Sequence, residues 1–472
     1  MAVFVGRTRE LATLTTHLNR VRQAGRERPG RALLMRGRRR VGKSRLVEAF
    51  VEQAAVPHVF FTASTRTTTE ELRLFVEEVA ESNLPGADLF DGVELASWDA
   101  ALRLLARAVP EDGPSIVVID ELPYLTRSDP GLEGTLQKAF DRELARRPVL
   151  LIGIGSDLSV MESLDEYGRP FHQRAAEMVV LPLAPPEVAT MLELPPAQAF
   201  DAYLVTGGLP LICQEWQPGQ SLRDYLTEAA RDPTSALLVS GERVLAAEFP
   251  AALQARSVLE VIGSGQTTFS AIGRRAGGMQ QSSLARSLDQ LASRRVVAAE
   301  KPLSTKASRE TRYRVADPYL RFWLAFLGPH LQEIERGAGD RVVQRIDRSW
   351  LSWRGRAIEP VVREALERLP AGNRPGDPDV FGGYWTRTND VEVDIVGADR
   401  APVAREIRVL GSIKWHQDRP FDDRDLTTLA AVRVRVPGAG PSTPLLAVSR
   451  SGCSVPGVTH LGPADLLAAW RE

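Results

Sequence analysis

Residues 37–44 read Gly37-Arg38-Arg39-Arg40-Val41-Gly42-Lys43-Ser44, a full match to the spacing that cradles a polyphosphate. Glycines let the backbone wrap closely round a phosphate, and the helix opening at Ser44 turns its unpaired N–H groups toward the anion. Lys43 is placed to reach the β and γ phosphates, and the Ser44 hydroxyl to ligate magnesium. The nucleotide-contacting set is therefore residues 37–45, with Arg45 closing the first helical turn. A chance glycine-rich turn is the alternative. A second acidic element, Ile116-Val117-Val118-Ile119-Asp120-Glu121, ends an apolar run in two carboxylates. Asp120 is expected beside Ser44 on the metal, with Glu121 activating the attacking water. Ser156 follows a third apolar run. It is read either as a polar sensor of the γ-phosphate or as a plain strand-end serine. Arg169 is read as stabilising transition-state charge, within its own subunit or across a homo-oligomer. The other reading for Arg169 is a surface ion pair. Together these residues imply ATP with Mg2+ as ligand and metal.

Positioning these groups requires a sheet. Short apolar runs at Ala32–Met35, His58–Thr62, Ile116–Ile119, Val149–Ile154 and Met178–Leu183 alternate with longer amphipathic stretches. Buried parallel strands read this way, because helices cover both faces. The expected class is α/β, with a parallel P-loop sheet over residues 1–185. The run His58–Thr62 is expected to insert a strand, leaving the acid pair one strand away from the P-loop strand. Residues 186–245 lack strand signals and read as a helical lid. Residues 246–330 read as three short helices and a β hairpin, a winged-helix pattern in which Leu284, Leu288 and Leu291 share a core face. Residues 331–472 form the last domain. There 331–349 reads as a connector, followed by a helix over Trp350–Leu369 and strands at Val391–Val396, Val403–Trp415 and Leu445–Val448.

Composition narrows the class. The 472 residues suit three or four domains at roughly 100–200 residues each. Two cysteines, Cys213 and Cys453, exclude a disulfide framework and a cysteine-based zinc site. No run approaches the ~20 apolar residues of a membrane span, and the N-terminus is charged, so a cytoplasmic protein is expected. The net charge of −1 is uninformative, but its distribution is not. Residues 1–60 hold 13 Lys/Arg against 4 Asp/Glu, and residues 274–314 hold 10 against 3. The second surplus includes Arg286, Arg294, Arg295, Lys301, Lys306, Arg309, Arg312 and Arg314. It fits phosphate contacts to DNA, or else an interdomain signalling element.

With these residues in hand, the chain resembles the archaeal and bacterial AAA-like ATPase family within the signal-transducing P-loop ATPases. The resemblance spans nearly the whole chain. It rests on Phe4–Leu11, the P-loop, Asp120-Glu121, Gly155-Ser156, Gly168-Arg169 and Gly207-Gly208-Leu209-Pro210. Phe4-Val5-Gly6-Arg7 lies where many such ATPases cradle the nucleoside. Gly208 and Pro210 would form the turn that couples nucleotide state to the following domains. Tyr313–Phe326 looks like the family's junction after its winged helix, with Phe322, Trp323 and Phe326 expected as core. The resemblance also implies a restriction-endonuclease-like C-terminal α/β domain, with Glu359, Asp394 and Lys414 as its nuclease residues. In such a site two carboxylates hold magnesium and a lysine aids the attacking water. The slot for the second carboxylate reads Ser412-Ile413-Lys414, and a serine cannot supply that charge. Glu406 lies about 20 Å along the strand, at roughly 3.3 Å per residue. A weakened or lost nuclease is expected, retained for binding DNA or a protein. The competing readings are a nucleotide-driven switch, an ATP-dependent DNA nuclease, and a DNA-binding regulator without turnover.

Overall fold

Strands β3 (Ser115–Asp120) and β4 (Val149–Gly155) are buried at every position, as continuous apolar runs covered on both faces must be. With β1 (Arg31–Arg36), β2 (His58–Thr62) and β5 (Ala175–Val179) they form one parallel sheet in the order β2-β3-β4-β1-β5. The computed structural model describes residues 5–23, 29–156, 160–161, 174–248 and 254–470. One face packs the helices Thr68–Ala80, Trp98–Ala108 and Leu132–Arg142 around an aromatic cluster. In it Phe75 meets Phe61 and Trp98 edge-on at 5.3 and 5.4 Å. This is the P-loop NTPase fold. The strand between the P-loop strand and the acid-bearing strand is β4, whereas β2, expected to be the inserted one, lies at the outer edge. The fifth strand lies a few residues before the expected Met178–Leu183. It is an edge strand with Glu177 and Val179 exposed, so its apolar signal collects at its end.

The chain divides into two compact units, Met1–Pro182 and Leu183–Glu472. The second begins with helices Pro185–Leu192, Pro196–Thr206, Pro210–Cys213, Leu222–Ala229 and Ala236–Glu248. Helices Gln254–Gly263, Phe269–Arg275 and Gln281–Ser293 follow, then the antiparallel pair β6 (Val297–Glu300) and β7 (Arg312–Val315). Leu284, Leu288 and Leu291 are buried here, as are Phe322, Trp323 and Phe326 beyond the hairpin.

The expected connector over 331–349 is instead mostly helical. Val342, Val343 and Ile346 form a buried stripe on the helix Gly339–Ala357, whose other faces are charged. The helix expected over Trp350–Leu369 breaks at Ile358. Pro360 lacks the N–H a continuous helix would use there, and it fits the first turn of a new helix, Glu359–Arg368. A second sheet then forms in the order β12-β11-β10-β9-β8. Its strands are β8 (Val380–Trp385), β9 (Glu392–Ala398), β10 (Ile407–Lys414), β11 (Leu445–Ser449) and β12 (Thr459–Leu461). The β8–β9–β10 pairs are antiparallel, and β10–β11–β12 run parallel.

Candidate active site

The P-loop leaves β1 at Arg36. A Cβ on Gly37 would lie 2.4 Å from the Val180 carbonyl oxygen, so only glycine fits. Arg40 and Gly42 take positive φ, and Gly42 caps the helix Lys43–Ala54. The first N–H groups of that helix have no intrahelical acceptor and face the loop's concavity. Val41 is fully buried and fixes the loop's crown, and its carbonyl oxygen accepts a hydrogen bond from Arg7 at 2.7 Å. Arg7 is itself buried and paired with Glu10 at 3.0 Å. Residues 5–11 therefore brace the P-loop through Arg7, a role the sequence did not disclose. Its signal was the consecutive positive φ of Gly6 and Arg7, which residue types alone do not give. Arg38 is half-buried. Arg39 donates to the Tyr124 hydroxyl at 2.8 Å, and Arg45 pairs with Glu48 along its own helix.

Lys43 is almost fully buried and donates to the carbonyls of Gly37 at 2.9 Å and Arg38 at 3.0 Å. Burial pulls its pKa down to about 8, against the opposing pull of Glu121 and Asp120. Ser44 Oγ donates to Asp120 Oδ2 at 2.6 Å, and Asp120 Oδ1 accepts the Glu121 N–H at 2.9 Å. Burial raises the Asp120 pKa, while these two hydrogen bonds hold it back. Glu121 sits in the left-handed region at φ 53, where β3 turns into the next helix. Ser156, one residue past β4, donates to both Glu121 carboxylate oxygens, at 2.8 and 2.9 Å. The structure thus joins Lys43, Ser44, Asp120, Glu121 and Ser156 at the strand ends of one sheet. Arg169 and Phe4 lie outside the described residues. Pro210 starts the helix Pro210–Cys213 in the second unit, after a turn in which Gly208 has φ +67. A Cβ on Gly208 would lie 2.0 Å from the Leu183 carbonyl oxygen.

Two hard oxygens, from Ser44 and Asp120, within 2.6 Å of each other suit Mg2+, which takes few protein ligands and completes its shell with water and phosphate.

The nuclease-like residues are bonded within the protein: Arg363 joins the Glu359 carboxylate to the Asp394 carbonyl, while Lys414 turns elsewhere. Glu359 accepts from Arg363 at 3.0 Å. Burial lifts the Glu359 pKa to about 7, opposed by Arg363 and reinforced by Asp394. Asp394 Oδ2 accepts both Ser412 Oγ at 3.0 Å and the Ile413 N–H at 2.8 Å. It fastens β9 to β10 where their backbone pairing ends. Lys414 turns to Asp425 at 3.6 Å. Among the described residues, no group of three or more His, Cys, Asp or Glu side chains is arranged to hold a metal ion.

The basic hairpin is also partly committed. Arg312 lies over the Trp385 ring at 4.5 Å and bonds Asn389 and Glu392, and Arg314 bonds Glu300. These two arginines are turned to ring and carboxylate partners rather than to an exposed face for a DNA backbone, unlike the expectation for the wing. Arg274, Arg275, Arg286, Lys306 and Arg309 are exposed. No described helix is long and apolar enough to cross a membrane.

The DUF234 family, described as archaea bacterial proteins of unknown function, matches residues 323–426. An uncharacterized protein of Methanocaldococcus jannaschii is 24% identical over 370 residues, covering 76% of this chain and 78% of its own. Among solved structures, the Walker-type ATPase of Pyrococcus abyssi is similar at 20% identity and a TM-score of 0.47, over 68% of this chain and 96% of its own. The ORC2 protein of Aeropyrum pernix, in ADPNP-ADP complexes, is similar at 16% identity and a TM-score of 0.47, over 73% and 95%. The ORC1 protein of that organism, in complex with DNA, is similar at 20% identity and a TM-score of 0.34, over 73% and 95%.

Proposed function

We propose that this chain is a P-loop ATPase that binds ATP with Mg2+, hydrolyses it, and uses nucleotide state as a molecular switch on its second unit. The observation that carries this reading is the continuous polar chain Ser44–Asp120–Glu121–Ser156 beside Lys43. Binding alone requires the loop and the lysine. It does not require a second carboxylate aimed past the metal position.

The N–H groups of residues 38–44 hold the phosphates, and Lys43 exchanges its carbonyl partners for phosphate oxygens. Ser44 and Asp120 hold the metal, which when bound neutralises charge on the transferring phosphoryl group. Glu121 takes the proton of the attacking water at its carboxylate. Arg169, assigned from the sequence, stabilises charge on the leaving oxygen, from its own subunit or from a neighbour in a homo-oligomer. Pro210 and the Gly207–Gly208 turn carry the nucleotide state onward.

In the second unit, residues 254–315 act as a winged helix. DNA is its proposed partner, through the exposed Arg274, Arg275, Arg286, Lys306 and Arg309. The C-terminal sheet acts as a nuclease-like domain without cleavage. The engagement of Glu359, Asp394 and Lys414 by protein partners, Arg363, Ser412 and Asp425, supports that reading over an ATP-dependent nuclease.

The test is ATP turnover by the purified chain with and without DNA. Glu121→Gln is expected to keep nucleotide affinity and to lower turnover by about 100-fold or more, the usual scale of a lost general base. Undiminished phosphate release by that variant refutes the assignment. DNA affinity is expected to fall steeply with salt. Flat salt dependence removes DNA as the partner.

A further inference from the structure

A cavity of about 630 Å³ opens in the second unit between the β6–β7 hairpin, the helix Glu359–Arg368 and β8. That volume lies within the roughly 300–1,000 Å³ of small-molecule sites. Three arginines line it, Arg314, Arg321 and Arg363, together with Glu300 and the aromatic rings of Trp353 and Phe381. None of Glu359, Asp394 and Lys414 is on its wall, and it touches that group only through Arg363, which bonds Glu359 and the Asp394 carbonyl.

The hydrogen bonds show which charges are already answered. Arg363 is fully engaged, by the Asp394 carbonyl, Glu300 and Glu359. Glu300 gives one oxygen to Arg363 and the other to Arg314, so a single carboxylate is divided between two guanidinium groups. The remaining acids on the wall are committed elsewhere, Glu364 to Arg368 and Glu367 to the Phe381 N–H. Arg314 enters its ion pair through Nε. Arg321 donates to the Arg356 carbonyl at 3.2 Å, and no carboxylate forms an ion pair with it among the described residues. Burial pulls the Arg321 pKa down to about 10, with the positive charge of Arg314 pulling in the same direction and the carboxylates of Glu359 and Glu300 pulling against it from beyond contact. A half-buried guanidinium with no carboxylate in direct contact gains from an anion placed against it. Arginine's planar fork matches phosphate and carboxylate oxygens two at a time.

We propose that this cavity binds a small organic anion, its phosphate or carboxylate group held by Arg314 and Arg321 and its apolar body resting against Trp353 and Phe381. Such a ligand joins the strand carrying Arg314 and the helix Pro318–Phe322 to β8, so its occupancy is an input to the second unit. The proposal stands independently of the ATPase reading.

The probes are phenyl phosphate and benzoate, with benzyl alcohol as the neutral control. They are titrated calorimetrically into the full chain carrying Lys43→Ala, so that the P-loop takes phosphate more weakly. At least one anionic probe is expected to bind at a single site, with benzyl alcohol much weaker. Which of the two binds tells phosphate from carboxylate. Adding Arg321→Met is expected to weaken binding by about tenfold or more, and Arg321→Lys by less, since it keeps the charge but loses the fork. In the unsubstituted chain, phenylglyoxal labelling of Arg314 and Arg321, read by mass spectrometry, is expected to slow when the probe is present. That measurement holds even if a variant misfolds. Absence of binding by both anions at millimolar concentration, or affinity indifferent to Arg321→Met, or labelling unchanged by the probe, overturns the proposal.

Discussion

At the scale of single residues, the polar side chains gathered at the P-loop bond to one another or to the loop backbone. Lys43 rests on two loop carbonyls, Ser44 on Asp120, and Ser156 on both oxygens of Glu121. A hydroxyl has one proton, so Ser156 can serve the two Glu121 oxygens only in alternation. That geometry holds the carboxylate at a fixed height over the sheet edge without neutralising it. Ser156 is therefore expected to act by positioning Glu121 rather than by touching nucleotide alone. Ser156→Ala should leave ATP affinity nearly unchanged and lower kcat by about tenfold, well short of the loss at Glu121 itself. Steady-state phosphate release and a nucleotide titration measure the two quantities. An unaltered kcat would reduce Ser156 to an ordinary strand-end serine.

At the scale of elements, what the sequence showed depended on whether a signal was local. The P-loop, β3 and β4 were legible because phosphate chemistry and two-sided burial each dictate a contiguous pattern of residue types. β8 was missed because Gly382 and Gly383 interrupt its run and its side chains alternate in burial. β12 has only three residues. The helix Gly339–Ala357 was hidden by its arginines, although three apolar residues suffice for its buried stripe. The absence of a second nuclease carboxylate at Ser412 was readable. What replaced it was not, because Asp394 capping Ile413 and Lys414 meeting Asp425 depend on strand register and on a distant helix. The first residue of the helix Glu359–Arg368 gives a test at this scale. Glu359 has its pKa raised from 4.5 to about 7, chiefly by burial. Between these values the folded chain keeps a proton that the unfolded chain has released. Its contribution to stability is complete below the unfolded value and is lost as pH rises through about 7. Glu359→Gln cannot titrate. Relative to the unsubstituted chain, it should gain on the order of 1–3 kcal/mol of stability between about pH 5 and about pH 8. Urea unfolding at both pH values measures this, and a difference independent of pH would show that the carboxyl titrates normally.

At the scale of the molecule, the second unit is tied together by one buried ionic group. Asp201, on the helix Pro196–Thr206, meets Arg354 at 3.1 Å and Arg450 at 3.0 Å. Arg354 lies on the helix Gly339–Ala357, is 1% exposed, and also donates to the Trp415 carbonyl. Arg450 follows β11 and donates to the Ala197 carbonyl at 2.7 Å. Three segments remote in sequence are thereby fixed in one arrangement: the first helices of the unit, the family-matched region and the C-terminal sheet. Desolvating three charges offsets much of their attraction, so the group's main effect is to penalise wrong packings. The consequence separates two kinds of substitution. Asp201→Ala leaves two guanidinium groups buried without a counter-charge, and should destabilise the unit by about 3–5 kcal/mol. The triple replacement Asp201→Leu, Arg354→Met and Arg450→Met removes every charge at once. It should recover most of that loss, because apolar groups of similar volume need no compensation. Urea unfolding of both variants decides the matter. If the triple variant is no more stable than Asp201→Ala, the ion triad stabilises through its own attraction. If Asp201→Ala costs less than about 1 kcal/mol, water reaches the site and the three segments are held by their apolar contacts alone.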